Sequence, residues 1–197
     1  MKYKRIMSMI ATGILMLNLV SCSSDNNENK DVAMESGEEV VVATSVAVTE
    51  ILDALGVKVS GVPKTSYELP KSTEGAVEIG NPMSPDLEII KSLNPTIVVS
   101  VDTLGSDYMN LFTENNIPSE FVSLESLDGL KEAITILGKK FDKNDEAKNL
   151  LNEIELKESE VKKKAETLEN PEILVLFAAP GSTMIATSKS YIGSLVK

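Results

Sequence analysis

Hydrophobic positions fall into short β-branched runs separated by stretches of helical period. Val40-Val41-Val42-Ala43 is a continuous apolar run, and Val48, Ile51, Leu52 and Leu55 follow at helical spacing before Gly56, which predicts a strand, a tight turn and a helix. Thr44 and Ser45 are the N-cap candidates at that turn. Val57 to Pro63 predicts a second strand. Ser84-Pro85 reads as a cap and first-position proline, with Leu87, Ile90 and Leu93 as the inner face of a helix that Asn94-Pro95 stops. Thr96 to Val101 is the clearest buried strand, followed by a helix near Asp107 to Asn115 and a short strand near Glu120 to Val122. Leu127, Leu130, Ile134 and Leu137 line a further helix.

From Asn144 to Leu168 there is neither Gly nor Pro, and Ala147, Leu150, Leu151, Ile154, Val161, Ala165 and Leu168 keep a helical period. A helix of this length runs about 36 Å. Its other face is rich in Glu and Lys, and the Lys162-Lys163-Lys164 run reads as a solvated surface. After Asn170-Pro171, Glu172 to Phe177 starts a strand, Ala179-Pro180-Gly181 turns, and Ser190-Tyr191-Ile192 opens a last helix.

Strands alternating with helices predict an α/β fold. Its parts are a Rossmann-like N-terminal lobe over residues 40–141, with a parallel sheet flanked by helices, then a long interlobe helix over 142–169 and the start of a second α/β lobe over 170–197. Some 27 residues are too few to enclose a core of their own, so a truncated second lobe is expected.

The first residues follow different rules. Lys2, Lys4 and Arg5 precede an apolar run of about 15 positions from Ile6 to Val20, too short for the roughly 20 residues that span hydrocarbon. Residues 1–21 therefore read as an export signal. Ser23 to Glu39 is polar and poor in apolar residues, so residues 22–39 read as a flexible tether.

Composition narrows the chemistry. Removing the signal leaves 16 basic residues against 30 acidic, a net charge of −14, which disfavours a phosphate-neutralising surface and hence nucleic acid as a partner. The chain has no histidine and one cysteine, which removes Ser-His-Asp triads, histidine zinc sites and CxxC pairs. No GxGxxG follows the first strand and no P-loop occurs. Binding, not catalysis, is the expected activity.

Leu19-Val20-Ser21-Cys22 resembles a bacterial lipobox, and this resemblance implies a diacylglycerol on Cys22 and a protein held by lipid on the outer face of the cell membrane. Ala43-Thr44-Ser45-Val46-Ala47-Val48-Thr49-Glu50-Ile51 and Gly80-Asn81-Pro82-Met83-Ser84-Pro85-Asp86-Leu87-Glu88 resemble the haem-binding IsdE-type lipoproteins among ABC-importer substrate-binding proteins. Gly61 to Pro70, Pro180-Gly181-Ser182 and Ser190 to Gly193 extend the likeness. The resemblance implies haem as transported ligand and an ABC permease as partner. It implies Met83 as an axial ligand to haem iron, and a histidine of the family's second lobe, absent from this chain, as the opposite one.

Haem propionates need donors, and Arg5 is the only arginine. The amides of Val46, Ala47 and Val48 at a helix start, with Ser66 and Tyr67, are the candidates. Glu88 matches the acidic position by which such proteins dock on a permease. A siderophore or cobalamin receptor of the same architecture, or an inactive truncated fragment, are the alternative readings.

Overall fold

The computed structural model describes residues 39–167, 169, 172–179, 181–188 and 190–196. The expected export signal, Cys22 and all of the tether except Glu39 lie outside the described residues.

Five strands form the central sheet: β1 (Val41–Ala43), β2 (Gly61–Val62), β3 (Val77–Glu78), β6 (Ile97–Val101) and β7 (Ser119–Val122), in the order β3-β2-β1-β6-β7 and all parallel. Parallel strands need covering on both faces, and alternate residues of β1 and β6 supply two cores. Val41, Ala43, Ile97 and Val99 face Val48, Ile51, Leu52 and Leu55 of α1 (Val46–Ala54) and its C-terminal turn, together with Ala133, Ile134 and Leu137 of α4 (Leu127–Lys140). Val42 and Val98 face the opposite way, onto Ile90 of α2 (Leu87–Ser92) and Phe112 of α3 (Ser106–Glu114). Phe112 is wedged edge-on between Tyr108 and Phe121, with ring centroids 5.0 and 5.6 Å away.

The long helix α5 (Asn144–Ala165) is 22 residues long. Its first half lies on the lobe through Ala147, Leu150, Leu151 and Ile154. Gly138 of α4 permits the close approach: a Cβ there would overlap the Ala147 Cβ. Farther along, Glu158 accepts from Lys131 of α4 and from Lys162, each at 2.6 Å. These bonds, Lys131's first, hold its carboxyl far below the usual range, at about 2. The apolar stripe expected to run the whole helix is packed against the lobe only in this first part, and Val161 and Ala165 of its second part are exposed.

The remaining described chain forms an antiparallel hairpin, β8 (Leu176–Ala179) with β9 (Ser182–Ile185), and α6 (Tyr191–Leu195). Helix α6 is capped by the Ser190 hydroxyl, which accepts from the Gly193 N–H, and lies against α4.

Several local expectations give way. The second strand covers only Gly61–Val62 instead of Val57 to Pro63, since the Val57 N–H donates back to Leu52 O of α1 and bonds to the neighbouring strands begin only at Ser60. Strand β3 has two exposed residues and lies at the sheet edge, where no hydrophobic alternation marks it. Ser84-Pro85 does not open α2. These residues form β5 (Ser84–Pro85), paired antiparallel with β4 (Gly80–Asn81), and the cap is Asp86, whose carboxylate accepts from the Glu88 and Ile89 N–H groups at 2.9 and 3.1 Å. A carboxylate at the positive end of the helix displaces a serine cap two residues earlier.

Candidate functional site

All five strands point the same way, so the segments leaving their carboxyl ends share one edge of the sheet. The strand order reverses direction between β1 and β6, the switch point where open α/β sheets hold ligands. The amino end of α1 begins there. Thr44, wholly buried, spans the two strands: its N–H donates to Val99 O at 3.1 Å and its hydroxyl to Ser100 Oγ at 2.8 Å. Thr44 thus ties the sheet together, and Ser45 is the cap.

The three amides expected at this helix start separate. Val48 N–H donates to Ser45 Oγ at 3.3 Å and its side chain lies in the core, so Val48 is engaged by the fold. Val46 is half-buried and Ala47 exposed, and as first-turn residues their amides have no acceptor within the helix.

Strand β2 leads into Pro63 to Tyr67. Ser66 is exposed and Tyr67 is 76% exposed. Tyr67 N–H donates to Thr65 Oγ1 at 3.0 Å, which leaves the phenol as the polar group Tyr67 presents. The same stretch is joined to the next: Lys64 N–H donates to Gly80 O at 2.8 Å.

Strand β3 leads into the β4–β5 hairpin. Ile79 is buried completely, Asp86 N–H donates to Ile79 O at 2.7 Å, and Gly80 takes φ of 96°, open to glycine at little cost. At the tip Pro82 fixes one φ angle and Met83 N–H donates to Asn81 Oδ1 at 2.8 Å. Met83 is 75% exposed, a thioether held out from an anchored base. Adjacent strands β1, β2 and β3 therefore bring the α1 amino end, Ser66, Tyr67 and Met83 to one edge. Glu88 lies in the first turn of α2, exposed, 3.5 Å from Lys91 Nζ.

Following β6 on the same edge, Asp102 Oδ1 and Tyr108 Oη are buried without hydrogen-bond partners, and burial pushes the Tyr108 phenol well above its ordinary pKa. Neither they nor the Thr44–Ser100 bond were visible to pattern reading, which sees spacing along one strand and not bonds between strands. The Asn81-Pro82 pair, a turn signal, was the available pointer to the hairpin. Among the described residues no three Asp, Glu, His or Cys side chains converge as a metal site, and no helix is long and apolar enough to cross a membrane.

Known proteins are similar to this chain. The high-affinity heme uptake system protein IsdE of Staphylococcus aureus is 35% identical over 185 residues, which is 93% of this chain and 63% of that protein. The crystal structure of S. aureus IsdE complexed with heme superposes with a TM-score of 0.76 at 37% identity, covering 81% of this chain and 62% of that one. An ABC transporter substrate-binding protein from Listeria monocytogenes EGD-e gives a TM-score of 0.75 at 36% identity, over 81% of this chain and 63% of that one. The chain thus spans less than two thirds of the length of these relatives. Residues 41–197 match the periplasmic binding protein family model. With the parallel sheet, the covering helices and this match over most of its length, the chain belongs to the periplasmic binding protein family.

Proposed function

We propose that the chain captures haem at the carboxyl edge of its parallel sheet and delivers it to the permease of an ABC importer. The observation that carries this reading is Met83: a soft, exposed thioether on an anchored hairpin, on the same edge of the sheet as the first-turn amides of α1. Haem is a flat apolar ring with an iron that accepts a thioether axially and two carboxylates that favour a helix amino end. Val46 and Ala47 amides, the Ser66 amide or hydroxyl and the Tyr67 phenol are the propionate donors. Likeness to IsdE, whose solved structure holds heme, supports the ligand.

In the whole molecule residues 1–21 act as the export signal, Cys22 carries the lipid and 22–39 tether a lobe of residues 40–141. Residues 142–169 connect that lobe to a second, begun by 170–197. Glu88 docks on the permease, and Glu88→Lys is expected to spare haem binding while impairing uptake by cells.

The test is a haemin titration of the whole chain in mild detergent, followed through the Soret band, with Met83→Ala beside it. Saturable binding that weakens at least tenfold and changes its spectrum in Met83→Ala supports thioether ligation. Identical titrations would remove Met83 from the iron, and saturable uptake of a ferric siderophore or cobalamin in place of haemin would reassign the ligand. A Cys22→Ser variant that still carries diacylglycerol by mass spectrometry would refute lipidation at that residue.

A further inference from the structure

The β4–β5 ladder pairs Gly80 with Pro85 and Asn81 with Ser84, so the Met83 N–H takes no part in it. That N–H is exposed, and water would satisfy it as well as any side chain. The Asn81 carboxamide accepts it instead, at 2.8 Å, two residues back along the turn. Asn81 is itself exposed, and a hydrogen bond between exposed groups contributes little to the stability of the fold. What it does determine is direction. Methionine has three freely turning side-chain bonds, and a ligand of this kind reaches a fixed iron only if its Cα–Cβ bond is already aimed. Below the tip, Ile79 and Pro85 are buried and Gly80 O and Ile79 O accept bonds from Lys64 and Asp86. Pro82 and the Asn81 bond carry that rigidity to residue 83.

We infer that Asn81 is a positioning residue: its side-chain oxygen, bonded to the Met83 N–H, presents the Met83 thioether to haem iron. The inference rests on the haem reading above. A merely structural residue at this place would alter stability and not the iron's ligation.

Asn81→Ala and Asn81→Ser are compared with the unsubstituted chain and Met83→Ala by haemin titration, by the near-infrared thioether-to-ferric-iron absorption and by the haem midpoint potential. Asn81→Ala is expected to weaken binding about three- to tenfold, the worth of one hydrogen bond. It should also diminish the near-infrared band and lower the potential, because methionine ligation raises it. Asn81→Ser, which keeps a weaker acceptor at the same place, restores most of each signal, and both variants unfold at the unsubstituted midpoint. If Met83→Ala titrates like the unsubstituted chain, or that chain takes up no haemin, the haem reading fails and this inference with it. If Met83→Ala loses the band while Asn81→Ala keeps it with affinity within about twofold, the reading stands and the role of Asn81 is overturned. Equal losses in the Ala and Ser variants overturn it too.

Discussion

Two antiparallel hairpins interrupt an otherwise parallel fold, and their order comes from different places. The β4–β5 hairpin has two residues per strand, β8–β9 four. By its own ladder the second should be the firmer. Yet the short one stands on Ile79 and Pro85, both buried, and is bonded to the preceding loop and the following helix. In the longer one Leu176, Phe177, Met184 and Ile185 are each more than half exposed. Isolated two-stranded ladders are marginal in water, so what lies beneath a hairpin decides its rigidity. Exposure also means different things in the two. Met83 is one exposed apolar side chain on a fixed support, whereas residues 173–187 form an uncharged stretch with a broad apolar surface.

The strongest way to break the contrast is to remove the support. Ile79→Ala leaves a hole in a fully packed core, and a loss of about 2–4 kcal/mol is expected from urea unfolding; a loss below about 1 kcal/mol would show the hairpin base to be less firmly packed than its burial implies. Gly80→Ala follows, at about 1–2 kcal/mol, because φ of 96° is strained for any residue with a Cβ and that Cβ would meet the Asp86 nitrogen at 3.2 Å. It should weaken haemin binding as well, since the base aims the tip.

Helix α5 repeats the contrast along its length, and pH sharpens it. Glu158 is bonded across to Lys131 of the lobe, whereas Glu160 bonds only to Lys157 and Lys164 of its own helix, pairs of little consequence in solvent. The Glu158 carboxyl is held at about 2 against an ordinary 4.5. A depressed acid stabilises the folded state above its ordinary pKa and ceases to do so as pH falls through its folded value. The stability gap between the unsubstituted chain and Glu158→Gln is thus expected in full at pH 7 and should close between about 4.5 and about 2. A gap that does not change with pH would remove the charge from the account. Glu160→Gln should leave the melting temperature where it is.

The smallest effect is expected in the other hairpin. Leu176→Ser or Ile185→Thr should change stability by no more than about 0.5 kcal/mol, while light scattering at high concentration falls, because an uncharged exposed ladder edge invites pairing between molecules. A loss above about 2 kcal/mol would mean that these side chains are covered in solution.

The same difference explains what is legible in the sequence. Strands β1 and β6 are readable as continuous apolar runs buried on both faces, and helices α1 and α4 because the helical period of their buried residues survives in the sequence. Strand β3 is not, having two exposed residues at a sheet edge. The Ser84-Pro85 cap rule was sound locally and lost to a tertiary fact, the burial of Pro85 in a hairpin with Asp86 left free to cap. At the site, Met83 came through the resemblance to a known family and not through spacing. A helix start does not reveal which of its amides its own cap will occupy, and here the Val48 N–H donates to Ser45 Oγ. The role of Asn81 is not legible in the sequence, because its bond to Met83 is a property of the folded turn.

The bond from Thr44 to Ser100 joins residues 56 positions apart, and β1 has β6 as its neighbour across the same interval. On a growing chain the central strand must therefore wait, one edge open, until the fourth strand of the sheet has been made. Closing a loop of that size costs about 3.5 kcal/mol of chain entropy before the pairing returns anything, and such long-range closure slows folding. Any intermediate ending before Ile97 leaves β1 with no partner on the β6 side. The Thr44–Ser100 bond at the α1 amino end is therefore made only once β6 has docked on β1, so the switch-point edge is completed together with the sheet.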